Sequence, residues 1–212
     1  MILPNTMKAA VLFGEGDMRL VDDYATPEPG PGEAIIKVEA CAICGSDPKI
    51  LAHGWPNHPP YGTFIFGHEY AGTIAALGEG VTEFEIGDRV AVEPHKGCGI
   101  CANCRDGLYN TCLNYGNAAK GHRHYGFSSN GGYAEYAVAY ASHLMRIPDN
   151  VSFEEAACIC ESYITAFLNV FMIGDFQDGQ TAILHGGGGG VNTAAIQLSK
   201  ALTPNSKLIV TA

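Results

Sequence analysis

Four cysteines inside one short loop constrain this chain more than any other feature. Cys98-Gly99-Ile100-Cys101-Ala102-Asn103-Cys104, closed by Cys112, sets thiols two, two and seven residues apart. That spacing lets a single loop surround one ion with the tetrahedral sulfur geometry that Zn²⁺ accepts. Two disulfides are the competing arrangement. They are disfavoured because the chain is large and its opening Met1-Ile2-Leu3-Pro4-Asn5-Thr6 lacks the charged and apolar regions of a secretory signal, which points to a reducing compartment. A site whose four positions are all filled by protein leaves no room for substrate, so the loop is expected to be a structural staple. The chemistry must then lie elsewhere.

At 212 residues the chain can bury a real core, and 47% hydrophobic content with 27 glycines suggests a turn-rich globular protein. The net charge of -10, with none of the 12 basic residues in a run, argues against nucleic acid or an anionic membrane as a partner. No uninterrupted apolar segment approaches the roughly 20 residues that span a bilayer. A cytoplasmic protein is expected.

From Met7 onward the pattern is of short strands broken by turns. Lys8 to Phe13 and Ala34 to Ala40 are rich in aliphatic residues, while Thr26-Pro27-Glu28-Pro29-Gly30-Pro31-Gly32 between them can be neither helix nor central strand. Met1 to Thr6 is expected to be a loose extension. In Cys44-Gly45-Ser46-Asp47-Pro48-Lys49, Ser46 or Asp47 can cap a short helix with Pro48 in its first turn, which places Cys44 where a strand gives way to a helix start. Such positions favour the thiolate that metals require, although a lone buried Cys is more often just a small hydrophobe. Phe66-Gly67-His68-Glu69 enters a strand through a glycine and offers an imidazole with a carboxylate beside it. Gly87-Asp88-Arg89-Val90 supplies a turn and a further strand, and Gly131 to Val138 another strand beginning at a glycine turn. His122 and His124 are expected on a mobile loop with solvated rings, and His53, His58, His95 and His143 have no identifiable partner.

Leu144 to Pro148 marks a change of texture. Ser152-Phe153-Glu154-Glu155 is a helix start with a capping serine and an acidic first turn, and the helix that follows is apolar apart from Glu161 and small hydroxyls. Glu161 is either an exposed position or a buried carboxylate that needs a partner. Thr181 to His185 predicts a strand, followed by five glycines, Gly186 to Gly190, and a helix from Val191 to Ala201. Strand, glycine turn and helix let backbone N–H groups approach a pyrophosphate. Lys207 to Thr211 begins a second strand, and one β-α-β crossover cannot make a stable parallel sheet by itself.

Taken together these motifs resemble the medium-chain dehydrogenase/reductase family, specifically its zinc-containing alcohol and polyol dehydrogenases, in order and approximate spacing over Met7 to Ala212. The resemblance implies a β-rich GroES-like barrel domain over residues 7–150, which carries the zinc loop at 98–112, followed by the start of an α/β Rossmann domain over 151–212. It implies two zinc ions per chain. Cys98, Cys101, Cys104 and Cys112 would hold the structural ion. Cys44, His68 and Glu161 would hold the catalytic one, with Cys160 as the reserve third ligand. Zinc would stabilise an alkoxide while hydride passes to NAD or NADP. Ser46 resembles the hydroxyl that takes the alcohol proton, Lys49 stands where relatives often have a relay histidine, and Asp47 and Glu69 resemble groups that orient the ligands.

The family's phosphate turn falls on Gly187, Gly189, Gly190 and Val191, but its third glycine position is Asn192. The implied partner is a small alcohol or carbonyl compound, and full-length relatives are usually homo-oligomers. Two alternatives accompany this reading. One is a zinc-free quinone reductase-like enzyme, suggested by His185-Gly186-Gly187. The other is a truncated module stapled by zinc and without activity, because only the first crossover of a Rossmann sheet is present and such a chain is not expected to bind a dinucleotide firmly by itself.

Overall fold

The computed structural model describes residues 3–212. Alternation of buried and exposed positions builds β1 (Thr6–Gly14), whose Met7, Ala9 and Val11 point inward. A tight turn with Gly16 at φ +74° returns the chain as β2 (Asp17–Ala25). Nothing in the apolar pattern announced β2: Asp17, Arg19, Asp22 and Asp23 punctuate it, and it is an edge strand with no buried residue. β3 (Glu33–Ala42) follows the proline-glycine loop, and α1 (Asp47–His53) starts at Ser46 with Pro48 in its first turn. The Ser46 side chain makes no capping hydrogen bond. β4 (Phe64–Ile65), β5 (Glu69–Leu77), β6 (Arg89–Val92) and β7 (His95–Lys96) lead into the cysteine loop, which carries the short α2 (Ala102–Arg105). β8 (Arg123–His124), β9 (Tyr136–Tyr140) and β10 (Leu144–Arg146) come next.

Contacts divide the chain after Cys158. In the first unit a five-stranded antiparallel sheet, ordered β10-β6-β5-β3-β9, encloses a core of Ile36, Tyr70, Ile74, Val90 and Tyr125, while a three-stranded sheet, β2-β1-β4, packs Leu12 and Phe64 with Ile50 of α1. Glycine-led Gly131 to Glu135 is not strand, as it was expected to be. Only from Tyr136 does the chain pair regularly with β3. Leu3 to Asn5 precede β1 without regular structure, Thr6 already belongs to it, and the Met1 and Ile2 part of the expected extension lies outside the described residues.

α3 (Phe153–Phe167) begins before the division at Cys158, runs through it and continues as a π-helical segment, Leu168–Ile173. Its start has the anticipated reciprocal cap: Glu155 N–H donates to Ser152 Oγ, and Ser152 N–H donates to the Glu155 carboxylate. Phe153–Ile173 has 21 residues and a mean hydropathy of 1.6 over its most apolar window, so by length and composition one helix among the described residues could cross a bilayer. It is not an uninterrupted apolar segment of that length, because Glu154, Glu155 and Glu161 interrupt the apolar run without ending the helix. β11 (Thr181–His185) and β12 (Lys207–Thr211) pair in parallel, joined by α4 (Gly190–Leu202), which packs Ala194 and Ala195 against Ala166. That is a β-α-β crossover.

The histidines depart furthest from expectation. β7 pairs with β8, setting His95 opposite His124, so the Lys120 to His124 stretch is ordered and His122 is fully enclosed at 1% exposure. His95 and His124 stack at 4.6 Å between ring centroids, and His124 stacks in turn on Phe127 at 4.0 Å. The tautomers follow from the donors. Gly116 N–H donates to His122 Nδ1, so His122 Nε2 carries the proton and donates to His95 Nε2 at 3.2 Å. Trp55 Nε1–H donates to the Tyr115 hydroxyl, which donates to His124 Nδ1 at 2.8 Å.

These rings are therefore held neutral. Burial, reinforced by His95, Arg123 and Lys96, pulls His122 down to about 4. Burial, with Lys96 and His95, does the same to His143, and burial lowers His124 still further. Above about pH 6.5 these groups are neutral in both folded and unfolded chains and contribute nothing to pH dependence. Below it the unfolded chain binds protons that the folded one refuses, so stability falls as pH drops from about 6.5 toward 4. Urea midpoints measured across that range should fall, and His122→Asn, which keeps an acceptor for Gly116 N–H, should flatten the slope.

Candidate metal centre

Pairing of β3 with β5 sets Ala42 opposite Glu69. Cys44, two residues beyond β3, and His68, one residue before β5, therefore reach the same end of the sheet. Chain direction at that end depends on Gly67, whose φ of +85° suits glycine alone, and whose missing Cβ would lie 2.6 Å from the Tyr133 ring. One ligand atom from each of Cys44, His68 and Glu69 comes within 4.8 Å of the others. His68 is 1% exposed and Glu69 5%. Burial lowers the His68 pKa against the opposing pull of Asp47, which favours the neutral imidazole that ligates metals.

Asp47 organises the surroundings. Its Oδ2 accepts from Cys44 N–H and from the Tyr133 hydroxyl, each at 2.8 Å, and its Oδ1 lies 3.6 Å from His68 Nδ1. Asp47 Oδ1, His68 Nδ1 and Ser46 Oγ are enclosed atoms without a hydrogen-bond partner. Enclosed polar atoms beside a sulfur, a nitrogen and a carboxylate oxygen are a donor set that fits a zinc ion. Burial first, and then the Asp47 carboxylate, raise the Tyr133 phenol, so it remains a donor at neutral pH. Tyr133 is the residue of this site that sequence reasoning missed. Its glycine-flanked motif was visible, but the residue it touches is 86 positions away.

The four-cysteine loop forms a second donor set. All four sulfurs lie within 4.8 Å of one another, with Cys98 to Cys104 at 3.9 Å and Cys101 to Cys112 at 4.0 Å. Tetrahedral zinc with bonds of about 2.3 Å requires sulfur separations of about 3.8 Å, so the loop fits the ion. The Asn114 amide donates to Cys98 Sγ and holds that thiol down to about 5, the Cys104 N–H lowers Cys101, and burial pushes Cys104 up to about 12. All eight cysteines are free of disulfides.

The remaining predicted positions lie on other elements. Lys49 is exposed on α1. Glu161 is half-buried and Cys160 buried on α3, in the second unit. Gly187, Gly189, Gly190 and Val191 form the turn from β11 into α4, with Gly189 at the helix N-cap. A Cβ on Gly187 would lie 2.2 Å from Val210, so only glycine lets β12 pass this turn. Asn192, where a third glycine was looked for, donates its side-chain amide to the carbonyls of His185 and Gly186 and ties helix to strand by hydrogen bonds.

An antiparallel β domain with two metal-ligand sets, followed by a β-α-β unit that opens on a glycine turn, has the architecture of a GroES-like catalytic domain leading into a Rossmann fold. Residues 30–149 match the alcohol dehydrogenase GroES-like domain, and the chain belongs to that family. It is 38% identical over 201 residues to a zinc-type alcohol dehydrogenase-like protein, YphC, of Escherichia coli strain K12, covering 92% of this chain and 55% of that protein. It is likewise 38% identical over 158 residues to the sorbitol dehydrogenase of Bacillus subtilis strain 168, covering 74% of this chain and 43% of that one. The crystal structure of an NAD-dependent alcohol dehydrogenase superposes with a TM-score of 0.86 at 31% identity, over 97% of this chain and 58% of the other. The chain thus spans about half the length of the relatives it matches.

Proposed function

We propose that this protein is a zinc-dependent, NAD(P)-linked oxidoreductase that transfers hydride between a small alcohol or polyol and nicotinamide. The observation that carries the reading is the convergence of Cys44, His68 and Glu69 at one buried end of the central sheet. The second, all-sulfur set is proposed to hold a structural ion. Two such sets favour this reading over a zinc-free reductase.

On the resemblance to polyol dehydrogenases, Glu161 is proposed as the third protein ligand beside Cys44 and His68, with Cys160 in reserve and Glu69 as the adjacent carboxylate that tunes the site. When bound, zinc polarises an alcohol or carbonyl oxygen and the nicotinamide exchanges the hydride. The chain's own residues do the rest. Asp47 accepts from the Cys44 backbone N–H and faces the His68 ring, and it is proposed to orient both. Ser46 Oγ, enclosed and without an internal partner, is proposed to accept the alcohol proton, and exposed Lys49 or water to carry it away. Gly187, Gly189, Gly190 and Val191 are proposed to receive the cofactor's pyrophosphate at the start of α4.

Protein purified from its natural source, at whatever length it occurs there, tests the reading. Offered a panel of alcohols and polyols with NAD and with NADP, it is expected to form reduced nicotinamide only when an alcohol is present. Activity should vanish on chelation and return with zinc. Zinc-loaded protein that oxidises no alcohol with either cofactor would contradict the proposal.

A further inference from the structure

We propose that Tyr133 is a positioning residue for the Cys44–His68 metal centre, acting through Asp47. The inference rests on the reading of that centre as a zinc site and adds a residue to it. Asp47 is 4% exposed and its two oxygens are divided between duties. Oδ2 takes two donors, Cys44 N–H and the Tyr133 hydroxyl, each at 2.8 Å, and Oδ1 is left facing His68 Nδ1 at 3.6 Å. With two donors on one oxygen the carboxylate has a single favourable rotation, and in that rotation the other oxygen meets the imidazole. Removing one donor frees the group to turn. His68 then loses the carboxylate oxygen that faces its Nδ1 at 3.6 Å, and with it a constraint on the orientation of the ring.

Tyr133 is itself rigidly placed, which makes the hydroxyl a fixed reference point. Its N–H donates to Phe66 C=O at 3.1 Å, Ala10 N–H donates to its carbonyl at 2.8 Å, and its ring meets Phe66 edge-on at 5.0 Å between centroids. Gly67 lies flush against the ring face. One residue therefore grips the segment that precedes His68 through its backbone and ring, and the segment that carries Cys44 through its hydroxyl. The two ligand-bearing segments are joined across the sheet by Tyr133. Phenylalanine at this position would keep the ring contacts and lose the hydroxyl alone.

Tyr133→Phe separates positioning from packing. In the natural-length protein loaded with Co²⁺, the thiolate-to-metal absorption of the Cys44 site serves as the signature, identified by its loss in Cys44→Ser. Chelator competition should show that Tyr133→Phe weakens metal binding at this site roughly 10- to 100-fold, the range seen when a group supporting a ligand is lost. Affinity at the four-cysteine loop should be unchanged, which doubles as the control for folding. In an Asp47→Asn background the same substitution should add less than about twofold, because its effect passes through the carboxylate. Unchanged affinity in Tyr133→Phe, or a full effect that persists in the Asp47→Asn background, would overturn the proposal. If the unsubstituted protein showed no absorption dependent on Cys44, the metal centre itself would fall and the proposal with it, a result distinct from either of the others.

Discussion

Cys98→Ser is expected to release the zinc of the cysteine loop and to open residues 98–112 to proteolysis. The loop has almost no apolar core of its own. Neither α2 nor the turn at Tyr109–Thr111 buries a residue, and Ile100, Leu108 and Leu113 are more than half exposed. What is buried there is sulfur, at Cys98 and Cys112. Hydrogen bonds such as Asn114 to Cys98 and Cys98 N–H to the Cys112 sulfur converge on the cluster, and Cys98→Ser removes the sulfur that accepts from Asn114. Structural zinc sites contribute on the order of 10 kcal/mol of apparent binding free energy, far more than the loop's remaining contacts can replace. Arg105 is exposed in the middle of the loop. Trypsin should therefore cut after Arg105 at least about tenfold faster in Cys98→Ser, or after chelation, than in the zinc-loaded protein, since cleavage follows the population of the open form. Equal rates would mean that the loop is held by something other than its metal.

His68→Ala should abolish alcohol-dependent turnover while leaving the cysteine loop intact. Loss of the proposed ligand would remove charge stabilisation worth several kcal/mol in the transition state, so the rate should fall by a factor of about 10³ or more. The substitution also leaves Asp47 buried without the imidazole it faces, and a modest loss of stability should accompany it. Trypsin resistance at Arg105 serves as the internal control. A variant that kept resistance and also kept normal turnover would remove His68 from the chemistry.

How much of this was legible in the chain followed from the distance over which each feature is determined. The cysteine set lies within fifteen residues, so spacing alone specifies it. The cap at Ser152 and Glu155 and the glycine turn before α4 are equally local, and each stands where its motif indicated. β3 and β5 were legible because they are aliphatic. β2 was not, because an edge strand with one face in water can be built from aspartates and an arginine, and its pairing is imposed by β1 and by the turn at Gly16. The histidines failed for a different reason. His122 looks like a solvated loop residue until the two-residue pairing of β7 and β8 carries it against His95, 27 positions away. The link from Tyr133 to Asp47 is longer still, and only sheet register creates it. Asn192 shows the converse case: a departure from the family's glycine pattern proves to be a hydrogen-bonding substitute that no spacing rule describes.

The family likeness supplied what the residues alone left open, namely the proposal that Cys44 and His68 act together. The geometry gives that pairing a physical cause. One register between β3 and β5 places the two segments side by side, and one carboxylate, Asp47, touches both. Glu161 stands on the resemblance alone, and zinc content bears on Cys44 and His68 first.

Zinc content per chain is the most direct measurement of the central claim. Natural-length protein, freed of loosely bound metal, should carry two zinc ions. Cys44→Ser and His68→Ala should each carry one, with the four-cysteine site still filled. Two ions retained in both variants, or a single ion in the unsubstituted protein that neither substitution removes, would contradict a metal centre built on Cys44 and His68.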